Sequence, residues 1–285
     1  MLENSTLTIK TLLKRNLVTV LLTWFLTLLE TIFLALIPLL IGYSIDGVLE
    51  QDMGPLVNLT LVLLALLLVS VLRRVYDTRV YGKIRVTLES ELVNRSPDIN
   101  VSTLSARLGM SRELVDFLEH EVPPILTSVV QFVITIGILF SFHMYLAGVA
   151  LSATVAMLII YGASYGRFNT LYGDINQEME NRVSILDKRN SNSIVKHLNA
   201  LRRSEVQLSD TEAVVYGLIF AFLLAVVIFN LWYATAIMTL SVGIIFAIVT
   251  YSWDFVNSAL MLPVTLQKWS KLSDITQRIN AEYDH

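Results

Sequence analysis

Residues 56–72 read LVNLTLVLLALLLVSVL, and Arg73 and Arg74 follow at once. At roughly 1.5 Å per residue, a helix over this run crosses about 26 Å, close to the ~30 Å of a hydrocarbon core. Only a helix satisfies its own backbone groups there without help from outside the segment. The stretch behind it, 42–55, has no Lys or Arg, whereas eight bases lie between Arg73 and Arg112. Cytoplasmic loops keep Lys and Arg and translocated loops lose them, so this span runs from outside to inside.

The same alternation extends along the chain. Five further apolar runs occupy 17–41, 125–142, 145–165, 213–233 and 236–262. All 21 Lys and Arg fall in four of the seven segments flanking the six runs: before the first, after the second and fourth, and after the sixth. Both termini therefore face the cytoplasm of a plasma membrane, such as a bacterial inner membrane. A hydrophobic share of 54% with 16% charged residues is too apolar for a soluble domain, where about a quarter would be charged. The fold class is an all-α membrane protein, one six-helix domain over 1–285. The absence of Cys excludes disulfides and thiolate metal sites. The first run is too long for a signal-peptide core and lacks a cleavage site, so it reads as an uncleaved span.

The two basic segments, 73–124 and 167–212, span 52 and 46 residues, far more than the 2–8 typical of helix connections. They must carry structure of their own. Glu91 with Arg95, and Glu178 with Arg182, form i,i+4 pairs with the acid N-terminal. Leu108, Leu114, Val115 and Leu118 recur at helical spacing, as do Val183, Leu186, Ile194 and Leu198. Each segment therefore reads as a membrane helix continuing into the cytoplasm, a turn, and a returning helix. Ser96-Pro97-Asp98 supplies a cap and a first-turn proline for the first restart, and Ser191-Asn192-Ser193 marks the second. Pro123-Pro124 is expected to interrupt the third membrane helix at its entry. Eight acids balance eight bases in the first projection and seven balance seven in the second, which excludes a polybasic surface for nucleic acid or anionic lipid.

Polar residues within the spans nominate a pathway. Glu30 lies midway along the first run, and Thr19, Thr23 and Thr27 precede it on one helical face. Gly243, Ala247, Thr250, Asp254, Asn257 and Met261 form a second small or polar stripe. A carboxylate deep in a bilayer costs about 2.5 kcal/mol or more and usually faces a wet interior. Glu30 and Asp254 are thus candidates for a cation-selective or proton-accepting site, with Thr27, Gln131, Trp253 and Asn257 as wall residues. The structural alternatives stay open: a protonated Glu30 hydrogen-bonded to Gln131, threonines and glycine serving helix packing, and Asp254 reaching headgroups. His120, His143, His197 and His285 show no metal-ligand spacing. Residues 7–16 have the pattern of an amphipathic surface helix or of a frayed terminus.

Six spans, inside termini, two long helical projections after spans two and four, and minimal outer loops resemble the membrane domain of an exporter-type ATP-binding-cassette (ABC) transporter. Pro38 with Ile41-Gly42 and Ile45-Asp46 is similar to that family's first-helix exit. Arg107 followed by Leu114, Val115, Phe117, Leu118 and Glu119 resembles its entry to the third span, and Pro263, Gln267 and Arg278 its exit from the sixth. The resemblance implies a homodimer or heterodimer lining a central cavity. It also implies coupling helices at 97–104 and 191–199, carried by Pro97, Asp98, Leu104, Asn192, Ile194 and His197. The sequence contains no G-x-x-x-x-G-K-[ST] loop, so no catalytic residue or cofactor is assigned to this chain. ATP and Mg would act through a separately encoded nucleotide-binding subunit.

The expected function is therefore the membrane subunit of an ABC-type transporter. The alternative is a scaffold uncoupled from ATP, working as a proton-linked carrier or a regulatory partner. No potassium-filter motif or arginine-repeat span points to a channel, and no Gly-x-Ser-x-Gly or His-Glu-x-x-His to an enzyme.

Overall fold

The computed structural model describes residues 16–95, 100–187 and 190–281. The expected surface helix at 7–16 lies outside them but for Asn16, as do Ser96, Pro97, Asp98 and His285. The helices are α1 Leu17–Leu49, α2 Gly54–Arg95, α3 Val101–Asp116, α4 Val122–Phe142, α5 Met144–Asp187, α6 Ser191–Ala236 and α7 Val242–Ala281. Among the described residues six helical stretches are long and apolar enough to cross a membrane.

Between α3 and α4 the chain stays helical, which corrects the break expected at Pro123-Pro124. Residues Phe117–Glu121 form a π-helical turn, and the Val122 N–H reaches back to the Phe117 carbonyl. The prolines then occupy the first turn of α4. A widened turn accommodates rings that would otherwise press on the preceding carbonyls, so the strain appears as a π-bulge rather than a gap.

The second restart also differs from expectation. Asn190, one residue earlier than the Ser191-Asn192-Ser193 signal, caps α6: its Oδ1 accepts from Asn192 N at 3.0 Å and Ser193 N at 3.4 Å. Residues 191–199 are the first turns of a 46-residue helix, not a separate transverse one. The sixth apolar run begins late as well. Residues 237–241 make the turn, and α7 starts at Val242 because Ser241 offers its Oγ to Ile244 N at 3.3 Å as a cap.

Two cores hold the bundle. The larger joins α4–α7 through Leu139, Leu146, Met157, Ile219, Leu223, Ile248 and Phe255. Asn230 Nδ2 donates to Ser252 Oγ at 2.8 Å inside it, and both residues are fully buried. The smaller core joins α1, α2 and α3 through Val20, Val80, Tyr81, Ile84, Leu88, Leu114, Val115 and Leu118. Most of that core lies within 73–124, so this stretch has the packed helical structure its length demanded. On α2, by contrast, Leu61, Leu64, Leu67 and Leu68 are exposed, as befits a helix facing lipid.

At the end of the bundle without bases, α1 and α7 meet backbone to backbone. A Cβ on Gly243 would sit 1.9 Å from the Gly42 carbonyl oxygen, and one on Gly42 would sit 2.5 Å from the Gly243 oxygen. Asp46 fastens this crossing from α1: its Oδ1 accepts from Gly243 N at 2.8 Å and its Oδ2 from Ser241 Oγ. The carboxylate thus satisfies an orphan donor of α7 and lies at the positive end of its dipole. Lower down, the Tyr251 hydroxyl donates to the Ala35 carbonyl at 2.7 Å. Because the obstacle at Gly243 is backbone, Gly243→Ala must force the helices apart. It should destabilise by about 1–3 kcal/mol or more, read as a lower Tm in detergent, whereas Gly217→Ala, which meets nothing within 4 Å, should leave Tm unchanged or slightly raised.

Candidate ion-paired cavity

The threonine stripe of α1 forms largely because a threonine hydroxyl can bond to the helix's own carbonyls and still reach a neighbour. Thr23, Thr27 and Thr31 are buried and donate to Val20 O, Thr23 O and Thr27 O at 2.8, 2.9 and 2.8 Å. Thr23 Oγ1 also lies 3.1 Å from the Tyr81 hydroxyl of α2, and Thr31 Oγ1 lies 3.2 Å from Thr127 Oγ1 of α4. The stripe therefore joins three helices. Beside it opens a cavity of about 370 Å³ whose wall includes Thr27, Glu30, Thr31, Arg73, Arg74, Glu119, His120 and Thr127.

Glu30 is an acceptor at this cavity. Ser70 Oγ donates to its Oε1, and Arg73 Nε forms an ion pair with its Oε2. Arg73, not the Gln131 of the structural alternative, meets Glu30; Gln131, a candidate wall residue, is half-buried on α4 one turn beyond Thr127 and does not line this cavity. The pairing also sets Glu30 level with the first base after the run 56–72, at the basic edge of that run rather than at its middle. Arg73 in turn donates from Nη1 to Asp77 Oδ2 at 3.2 Å.

A second guanidinium repeats the pattern beside it. Arg85 Nη2 donates to Asp116 Oδ1 and, at 3.0 Å, to Glu119 Oε2. Asp116, Glu119 and His120 each offer a ligand atom within 4.8 Å of the others, a convergence that spacing did not reveal. Arg85 already supplies the positive charge for both carboxylates, so the cluster is an arginine-centred ion-pair network. In the sequence Asp77, Arg85 and Asp116 show only as members of a balanced set of charges. The readable signal was the i,i+4 spacing of Arg73 and Asp77 directly after an apolar run.

The α7 candidates sit elsewhere. Trp253 and Asn257 are exposed and Asp254 half-buried, and none of them lines this cavity. Their stripe divides, with Gly243 and Ala247 buried and Asn257 and Met261 exposed. Of the expected coupling residues, Leu104 is half-buried on α3, Asn192 is exposed and Ile194 half-buried in the first turns of α6. His197 is buried, and its Nδ1 lies 2.7 Å from Glu178 Oε2. Its side chain cross-links α5 and α6.

Residues 9–243 match the profile of the family described as ABC transporter transmembrane region. The chain belongs to this family. No curated protein matches it. The match to this ABC family covers α1 to the start of α7 and so includes both guanidinium-centred clusters. It also includes Leu114, Val115, Phe117 and Leu118, four of the residues that carry the resemblance, all of them buried.

If the Glu30–Arg73 pair holds α1 to α2, removing either partner strands the other in a partly buried site. Because the pair is only partly buried, Glu30→Gln and Arg73→Gln should each cost about 1–3 kcal/mol, less than the 3–5 of a fully buried pair. A double-mutant cycle on Tm should return a coupling energy of about 1 kcal/mol or more, and additivity would refute the pair.

Proposed function

We propose that this ABC membrane subunit forms a substrate pathway as a dimer. ATP hydrolysis, with its Mg, comes from a nucleotide-binding subunit outside these 285 residues. The observation that carries this reading is helix length. With 42, 44 and 46 residues, α2, α5 and α6 would be roughly 63–69 Å long, about twice a bilayer core. The distribution of bases puts the surplus, and both chain termini, on the cytoplasmic side of the plasma membrane.

Rigid helices that continue far beyond the bilayer act as levers, transmitting a displacement at their tips to the spans. Coupling is assigned to the two tips, around Pro97, Asp98 and Leu104 in one and Asn192 and Ile194 in the other. Thr27 and Glu30 supply the polar wall of the pathway on α1. Trp253, Asp254 and Asn257 on α7 would line the part completed by a second copy, with Gln131 between. The reading as a proton-linked carrier through Glu30 is weakened by Arg73, which already occupies that carboxylate.

Affinity capture of the tagged chain from its native membrane should bring down a nucleotide-binding subunit and ATPase activity. Substitutions across 97–104 should abolish both while the chain still inserts. A stable dimer that never captures an ATPase would reject the coupling, and a monomer in nanodiscs would reject the dimer.

A further inference from the structure

A second groove, of about 490 Å³, opens between α5 and α6. Ala163 in its wall belongs to the apolar run 145–165, and Val214 and Val215 belong to the run 213–233. Arg167, Gln207 and Asp210 belong to the basic cytoplasmic segment between those runs. The groove therefore crosses the level at which acyl chains give way to headgroups. Ala163 and Arg167 are four apart on α5, and Gln207, Asp210 and Val214 follow at spacings of three and four on α6, so one face of each helix carries both halves. Arg167 Nε donates to Thr211 Oγ1 at 3.3 Å, which fixes the guanidinium and leaves its terminal nitrogens without a partner among the described residues. Nearby, the Tyr172 hydroxyl donates to Glu212 Oε1 at 3.1 Å, so Glu212 is engaged. Asp210 is exposed and has no hydrogen-bond or ion-pair partner among the described residues. A cation and an anion thus line one groove without meeting each other, an arrangement matched by a guest that carries both signs.

We propose that this groove holds the headgroup of a phospholipid that bears a phosphate and a primary ammonium, the phosphoethanolamine type. The terminal nitrogens of Arg167 present a planar fork to the phosphate. The ammonium brings N–H donors to the Asp210 carboxylate and the Gln207 amide oxygen, whereas a quaternary ammonium brings none. The acyl chains continue along Ala163, Val214 and Val215. An anionic headgroup without an amine satisfies Arg167 but sets a like charge beside Asp210. Free phosphoethanolamine satisfies both charges and leaves the apolar part of the groove uncovered, so the charge pattern and the apolar lining together select the lipid. The volume falls within the range of about 300–1,000 Å³ common to small-ligand sites. A headgroup bound here ties α5 to α6 at the membrane edge, next to the Arg167–Thr211 and Tyr172–Glu212 bonds.

This site rests on α5 and α6 crossing the bilayer, and its test uses neither transport substrate nor ATPase. The 285-residue chain is purified in mild detergent, and native mass spectrometry measures the lipid it retains. The probes are phosphatidylethanolamine, its N-methyl and N,N-dimethyl derivatives, phosphatidylcholine and phosphatidylglycerol, all with dioleoyl chains. Retention should be highest for phosphatidylethanolamine and fall with each added methyl, ending about threefold lower for phosphatidylcholine, the worth of one exposed charged contact. Asp210→Asn should level this series. Arg167→Gln should lower retention of every member about threefold, and Arg202→Gln, exposed on α6 and not lining the groove, should change neither. The methyl series is read on the unaltered chain, so it decides the matter even if a variant does not fold. A flat series, phosphatidylglycerol retained as well as phosphatidylethanolamine, a gradient that survives Asp210→Asn, or soluble O-phosphoethanolamine bound as tightly as the lipid overturns the proposal.

Discussion

A hydrocarbon layer offers no hydrogen-bond partner, and that constraint accounts for most of what this chain does with its polar groups. Backbone groups are satisfied by long uninterrupted helices. Side-chain hydroxyls bond to their own helix before they reach a neighbour, as Thr27 and Thr31 do. Several charged groups are met by an opposite charge, Glu30 by Arg73, and Asp116 and Glu119 by Arg85. Where a helix must start near another, as α7 does at the crossing with α1, the carboxylate of Asp46 supplies the missing acceptor.

The same constraint explains why the architecture was legible and the site was not. Span number and order follow from apolar runs and the placement of Lys and Arg, both of which are local properties of the sequence. Helix ends depend on contacts made at a distance. The capping position at Asn190 was missed by one residue, and the late start of α7 by several, because tertiary hydrogen bonds compete with the local signal. At Pro123-Pro124 local chemistry was read correctly as an obstacle, but the chain had a cheaper answer than a break: one turn widened to π geometry.

At the site, the threonine face of α1 could be read from spacing, and so could the place of Glu30 next to it. Its partner could not. Arg73 is 43 residues away in sequence, and nothing in an apolar run states which residue of the next helix lies level with it. Gln131 is the kind of group that hydrogen-bonds a neutral acid, yet the structure places a guanidinium at Glu30, and the chemistry of the site changes from a lone acid to a network. Equal counts of acids and bases in 73–124 concealed the same fact, because neutrality over a segment does not mean neutrality around each guanidinium.

The two ends of the bundle consequently resist motion by different means. At the bare end, α1 and α7 touch through the backbone at Gly42 and Gly243, where contact is lost steeply with small separation and the Asp46 bonds have no slack. At the basic end, α1 and α2 are joined by the Glu30–Arg73 ion pair beside the cavity. Such a pair weakens gradually with distance and is partly screened. A displacement of the helices therefore meets a stiff contact on one side and an adaptable one on the other.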